Sequence, residues 1–191
     1  MTEGRGNNAF QQRLASLLKH RESVHQRRLR RCVNAISTTE CLIDGRRCIS
    51  FATNDYLGLT RHPDVLTAFT EAAAEQVGAG ASALIAGRSA YHVRLESAIA
   101  EFEGTESAVL FPSGFAANTG TLMSLIGRPD AVFSERENHA SLIDGCRSSV
   151  GKLFVYSRWE PDRLDDMISQ QRANYDAVFI VTDTVFSMDG S

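Results

Sequence analysis

From Ala108 to Val181 the chain alternates short apolar runs with stretches whose apolar residues recur at helical spacing. This alternation restricts the fold more than any other feature. The runs are Ala108-Val109-Leu110-Phe111, Ala131-Val132-Phe133, Lys152–Tyr156 and Ala177-Val178-Phe179-Ile180-Val181. Each has strand length and little polar interruption, as strands covered on both faces do. Between them, Phe115, Thr119, Leu122 and Leu125-Ile126 fall on one helical face, and Ser141–Cys146 reads as a short helix. Pro161 opens another helix, with Leu164 and Ile168 inward. The order β-α-β-α-β-α-β predicts an α/β fold with a mainly parallel sheet and helices on both faces. Ligands of such sheets bind beyond the C-terminal ends of the strands. Ser113-Gly114, Asn138-His139 and Ser187 all fall there.

The turn Pro112-Ser113-Gly114 joins the first run to its helix. Backbone N–H groups at a helix start lack intrahelical partners, and the helix dipole favours an anion beside them. Gly114 permits close approach of the backbone and Ser113 adds a hydroxyl, which is the outline of a phosphate seat. A glycine at such a turn also serves plain packing. The polar clusters at Asn138-His139 and Ser187 favour the phosphate reading.

The N-terminal part reads differently. An amphipathic helix is expected from Phe10, with Leu14, Leu17-Leu18 and Val24 on one face. Its other face is basic, through Arg13, Lys19, Arg21, Arg27, Arg28, Arg30 and Arg31. Such a run is ordinarily a solvated face; the sharper alternative is that one of Arg27, Arg28, Arg30 or Arg31 reaches an acidic substrate. No aromatic residues interleave with these arginines, and the net charge is −3, so nucleic acid is not expected as a partner. Asp44-Gly45 predicts a hairpin turn between Cys41–Ile43 and Cys48–Phe51. Pro63 opens a helix carrying Val65, Leu66, Phe69, Ala73 and Val77 inward, and Gly78 ends it. The loop over 78–89 is small and flexible, and a further helix from Ala90 to Phe102 buries Leu95, Ile99 and Phe102. His92, in its first turn, reads as structural. The division expected is an arm over 1–50 and the first part of a larger domain over 51–191.

A chain of 191 residues with 43% hydrophobic content suits one globular domain or a little more. No apolar run has the length of a membrane span, and MTEGRGNNAF lacks the apolar core of a secretory signal. Cys32, Cys41, Cys48 and Cys146 have no C-x-x-C spacing, so reduced thiols in a cytoplasmic protein without a metal site are expected.

NDYLGL at Asn54–Leu59, the GAGAS loop, LFPSGFAAN at Leu110–Asn118, NHASLIDG at Asn138–Gly145 and VFSMDG at Val185–Gly190 together resemble the α-oxoamine synthases. These are pyridoxal-phosphate (PLP) enzymes of the aspartate-aminotransferase fold, fold type I. The resemblance covers about residues 10–191. It implies that the backbone amides of Gly114 and Phe115, beside Ser113, hold the cofactor phosphate. His139 matches the imidazole stacked on the pyridine ring, with a role in catalysis. Ser187 matches the hydroxyl bonded to the cofactor's phenolic oxygen. Asn54 matches a substrate-pocket residue, and Arg28 a basic residue near the acyl substrate. The implied reaction joins an amino acid to an acyl-CoA with loss of coenzyme A and carbon dioxide. SGFAAN is most like the biotin-pathway branch, which implies L-alanine and pimeloyl-CoA; glycine C-acetyltransferase is an alternative, and a non-catalytic partner subunit another.

Some features depart from the family pattern. The only lysines are Lys19 and Lys152, and neither fits the family's Schiff-base position, which lies further along. The chain is therefore expected to be the first part of a longer enzyme, inactive alone, and homodimeric in its full form, with much apolar surface uncovered. Ala83 stands where many members carry Arg, and Asp183 where Glu is usual.

Overall fold

The computed structural model describes residues 5–191, with side chains from residue 8 onward. The chain forms two compact units, one ending at Gly78 and the other running from Ala79 to Ser191.

In the first unit, helix α1 spans Arg5–Ser23. It stops short of the basic run because His25 adopts a left-handed backbone with φ 56°, a conformation that ends a helix. Arg27, Arg28, Arg30 and Arg31 therefore lie beyond the helix, which corrects their expected placement on its face. Strands β1 (Val33–Ala35), β2 (Glu40–Ile43) and β3 (Arg46–Ile49) make an antiparallel sheet. Asp44 and Gly45 both take positive φ, 51° and 78°, as a two-residue hairpin turn needs. Arg61 donates to the carbonyl oxygens of Ile36 and Ala35, tying the stretch after the hairpin to β1. Helix α2 (Pro63–Glu75) begins with proline at its first position, and the His62 ring accepts from Asp64 N–H at 3.3 Å. Its apolar face, expected to be buried, is exposed at Val65, Leu66 and Phe69 because nothing within the unit covers it.

The second unit contains the alternating part of the sequence. Helix α3 spans Ala90–Glu103, α4 Gly114–Leu125, α5 Ala140–Ser148 and α6 Pro161–Gln171. Strands β4 (Ala131–Glu135), β5 (Lys152–Tyr156) and β6 (Val178–Val181) form a parallel sheet in the order β5-β4-β6. Central β4 is buried along its whole length, and its side chains alternate between two cores. Val132 packs with Ile126, Cys146 and Val181, supported by Leu122 and Leu142 of α4 and α5. Ala131 and Phe133 pack with Tyr156, Leu164 and Ile168 on the α6 side. The Phe133 and Phe154 rings stack at 4.9 Å within this second core. Helices thus cover both faces of a parallel sheet, as the alternation requires. The β4–α5–β5 and β5–α6–β6 links are crossovers between parallel strands.

Residues 108–111 do not form the expected strand. An apolar run becomes a strand only with a ladder partner, and none of the described strands pairs with it. Instead Leu110 N–H donates to Glu96 Oε1 at 3.4 Å. Leu95 and Phe102 on α3 are exposed, Phe102 at 88%, contrary to the expected burial. The loop before α3 is more ordered than its composition suggested: Ala83–Gly87 makes a π-helical turn with Gly87 buried. His92 bonds Ser89 N–H through Nδ1 at 3.2 Å in a capping box, a structural role. Among the described helices none is long and apolar enough to cross a membrane.

Candidate functional site

The site grows from three transitions in the second unit: from loop to helix at the start of α4, from β4 to α5, and from β6 to the turn that follows it. At the first, Ser113 caps α4 in an extended conformation, and its hydroxyl oxygen accepts from Ala116 N–H at 3.1 Å. Ala117 N–H bonds Ser113 O at 2.9 Å. Gly114 and Phe115 occupy the first helical positions, and their N–H groups have no partner among the described residues. A Cβ on Gly114 would meet nothing within 4 Å. The helix start therefore presents unpaired donors into open space, which suits an oxyanion.

At the second transition, β4 ends in Glu135 and the chain turns through Asn138-His139 into α5. Asn138 is buried and works in both directions. Its Nδ2 donates to Val181 O at 2.8 Å, and its Oδ1 accepts from Asp183 N–H at 2.8 Å. The Asp183 carboxylate returns the contact by accepting from His139 N–H at 2.6 Å. These three bonds lock the C-terminal end of β6 to the loop that carries His139. Asp183 thus fills a definite place, and its short side chain reaches the His139 backbone.

His139 caps α5, and Nδ1 of its ring accepts from Ser141 N–H at 3.2 Å. Ser141 Oγ lies 2.6 Å from the same nitrogen and accepts from Asn118 Nδ2 at 2.9 Å. Asn118 stands one helical turn beyond Gly114 on α4, so this bond sets the start of α4 directly against the start of α5. Gly145 permits that approach: a Cβ there would fall 3.2 Å from Thr119 Cα.

The third transition follows β6. Val185–Ser191 forms a turn in which Gly190 N–H bonds Phe186 O at 2.8 Å. Ser187 is exposed at its crest, and its hydroxyl makes no hydrogen bond among the described residues. The turn is held by Arg158, which follows β5. Arg158 pairs with Asp189 at 2.6 Å and with Glu137, and its guanidinium lies 3.9 Å from the centre of the buried Phe186 ring. Glu135, 1% exposed, accepts from Arg158 N–H at 3.2 Å and from Glu137 N–H. Bonds from the Ser191 hydroxyl and N–H, then Arg158, hold the Asp189 carboxyl below the usual carboxylate range. Burial pushes the Tyr156 hydroxyl at the end of β5 up.

The structure therefore brings Ser113, Gly114, Phe115 and His139 onto two helix starts joined by a hydrogen bond, and places Ser187 on the adjoining turn. Arg28 and Asn54 belong to the first unit. Arg28 lines an open cleft of about 400 Å³ with Arg21, Arg27 and Arg30, and Asn54 Oδ1 accepts from Tyr56 Oη at 3.5 Å. Lys152 opens β5, at the opposite end of the sheet from the loops carrying His139 and Asp183, so it stands away from these groups. Asn118, Ser141 and Arg158 join the site only through contacts made by the fold. Asn118 and Ser141 lie inside two of the quoted motifs; nothing local marks Arg158. No group of three or more His, Cys, Asp or Glu side chains able to hold a metal occurs among the described residues.

A covered parallel sheet with an anion seat at one helix start and a capping histidine at the next is the arrangement of the PLP-dependent transferases of fold type I. The chain belongs to the aminotransferase class I and II family, whose pattern matches residues 46–191. It is 43% identical over 151 residues to the 8-amino-7-oxononanoate synthase of Coprothermobacter proteolyticus, covering 78% of this chain and 38% of that one. Among solved structures it resembles the serine palmitoyltransferase of Sphingomonas wittichii, with TM-score 0.84 and 30% identity over 92% of this chain and 45% of that one. A serine palmitoyltransferase solved with PLP matches with TM-score 0.79 and 29% identity, over 84% of this chain and 41% of that one. The chain thus spans less than half the length of these relatives. Shared ancestry with α-oxoamine synthases extends through the N-terminal half of that family.

Proposed function

We propose that the chain is the N-terminal part of a PLP-dependent α-oxoamine synthase of the biotin-pathway type, condensing L-alanine with pimeloyl-CoA. The observation that carries this reading is the Asn118–Ser141 bond, which sets the unpaired Gly114 and Phe115 amides beside His139. The residues present fit the cofactor. Two free N–H groups and the helix dipole suit its phosphate, and an imidazole held by its own helix suits the face of its ring. When bound, the cofactor supplies an electron sink for a carbanion at the amino acid's α-carbon.

The chain's own residues do the rest. Gly114 and Phe115 donate to phosphate oxygens, and Ser113 adds a hydroxyl proton while its oxygen caps the helix. His139 covers the ring and orients the amino acid. Ser187, steadied by Arg158, offers its hydroxyl to the phenolic oxygen. Asn54 contacts substrate, and the Arg28 cleft attracts the anionic acyl-CoA. Neither Lys19, on α1, nor Lys152, at the far end of the sheet, matches the family's Schiff-base position, so covalent attachment of the cofactor needs a lysine from outside residues 1–191, and this chain alone is inactive. The working form is a homodimer of the longer protein, and its setting is the cytoplasm.

The test is coenzyme A release by the protein isolated from its natural source, with L-alanine and pimeloyl-CoA. Turnover with that pair is expected, and none from the 191-residue chain. Turnover only with glycine and acetyl-CoA, or serine and palmitoyl-CoA, would overturn the substrate assignment. Turnover by the isolated chain would overturn its inactivity.

A further inference from the structure

The ring of His139 has a hydrogen-bond polarity that cofactor stacking does not require. A backbone N–H can only donate, so the bond from Ser141 N–H makes Nδ1 an acceptor without a proton of its own. The Ser141 side chain agrees with this direction. Its oxygen accepts from the Asn118 amide, and its hydroxyl proton is left to point at Nδ1, 2.6 Å away. Amide, hydroxyl and imidazole form a chain of donors running one way, from α4 into the ring. Ser141 is fully buried. The opposite tautomer would set the ring N–H against the Ser141 N–H and leave that buried donor without its acceptor. Nε2–H is left as the ring's only donor, and no described residue engages it.

The histidine backbone is held separately, by the Asp183 carboxylate on its N–H. Backbone and ring thus have different anchors. Asp183 sets where the residue starts; Asn118 and Ser141 set which nitrogen carries the proton.

We infer that Asn118 and Ser141 are positioning residues that hold His139 as the neutral Nε2–H tautomer. Its use in orienting a substrate or cofactor oxygen rests on the reading above, whereas the tautomer itself does not. A fixed tautomer gives the ring one donor at a known nitrogen, so that groups beside it meet N–H rather than a lone pair.

The test is ¹⁵N NMR of the 191-residue chain labelled at histidine, at a pH where the rings are neutral and with no cofactor in the sample. His139 is assigned by its loss in His139→Gln. The expected spectrum shows Nε2 protonated and Nδ1 in the shift range of a hydrogen-bonded acceptor. Asn118→Asp keeps the size of the side chain but replaces the donor by an acceptor, which takes the Ser141 hydroxyl proton. The Nδ1–H population is then expected to rise about tenfold, the equivalent of one net hydrogen bond. Ser141→Ala keeps the backbone donor and is expected to leave Nε2–H dominant, while moving the Nδ1 shift toward that of a free acceptor.

A His139 ring in wild type that is Nδ1-protonated, or that averages between tautomers as a solvent-exposed imidazole does, overturns the proposal whatever its origin. So does a folded Asn118→Asp variant with an unchanged tautomer, because a merely structural bond would not reverse the ring's proton. Failure here leaves the cofactor reading standing. The expected tautomer in a chain that binds pyridoxamine 5′-phosphate no better than pyridoxamine would overturn that reading and leave this one.

Discussion

Replacing Gly145 by alanine tests the packing that brings the two site helices together, because two opposed effects meet there. Alanine is favoured over glycine inside a helix by roughly 1 kcal/mol, so propensity alone predicts a more stable α5. The added Cβ, however, would stand 2.8 Å from Leu122 Cδ1, 3.2 Å from Thr119 Cα and 3.3 Å from Asn118 O. The leucine methyl can swing aside; the other atoms are backbone of α4 and move only with the helix. Overpacking of this kind costs about 1–3 kcal/mol, and contact with backbone places Gly145 in the upper part of that range. The net expectation is a destabilisation of about 1–2 kcal/mol, the difference between the packing cost and the propensity gain. Urea unfolding followed by far-ultraviolet circular dichroism reads it as a lower midpoint at unchanged slope. A variant as stable as wild type, or more so, would refute the claim that α4 and α5 are in close backbone contact.

Other perturbations probe separate links. Asp130 accepts from Gly127 N–H at 2.7 Å and Ala177 N–H at 3.2 Å, so Asp130→Ala is expected to cost about 2–3 kcal/mol in the same unfolding assay, the range for bonds to a buried charged acceptor. Arg88 first, and then Leu110 N–H, hold the Glu96 carboxyl below its ordinary value. The unfolded chain therefore binds the extra proton first. Stability from Glu96 is present above the ordinary carboxylate range and is lost as pH falls through the depressed folded value. Urea midpoints measured from about pH 6 down to pH 3 should fall, and less steeply in Glu96→Gln. Burial pushes the Cys146 thiol up, whereas Cys32 is exposed; alkylation with iodoacetamide at pH 8 should label Cys32 readily and Cys146 only after unfolding, as read by peptide mass.

The parallel sheet was legible because its strands are covered on both sides and so are written as apolar runs. Even the alternation of Ala131, Val132 and Phe133 between two cores follows from strand geometry alone. The run at 108–111 has the same pattern yet forms no strand, because hydrophobicity marks a segment for burial but does not supply a hydrogen-bonding partner. The basic segment was misplaced for a local reason: a left-handed His25 leaves no trace in helical periodicity. Ser113-Gly114 and Asn138-His139 are contiguous motifs, so the helix starts they form are legible in the sequence. Their supports are not, since Asn118 meets Ser141 across 23 residues and His139 meets Asp183 across 44. Nothing in the sequence near Asp183 marks it as the anchor of the His139 backbone. Its partner, the His139 N–H, comes into view once β4 and β6 are seen side by side.

If the start of α4 holds a cofactor phosphate, removing one N–H without removing the helix should weaken its binding. Gly114 is the first helical residue, Ser113 before it is extended, and proline is tolerated at that position, so Gly114→Pro replaces the N–H by a ring carbon and keeps the helix start. Calorimetric titration compares pyridoxamine 5′-phosphate with pyridoxamine on wild type and on this variant. Saturable, phosphate-dependent binding to wild type is expected, weakened about 10- to 100-fold by Gly114→Pro, as the loss of one charge-assisted bond requires. Equal binding of the two ligands by wild type, or equal affinity of wild type and variant, would contradict a phosphate seat at the start of α4.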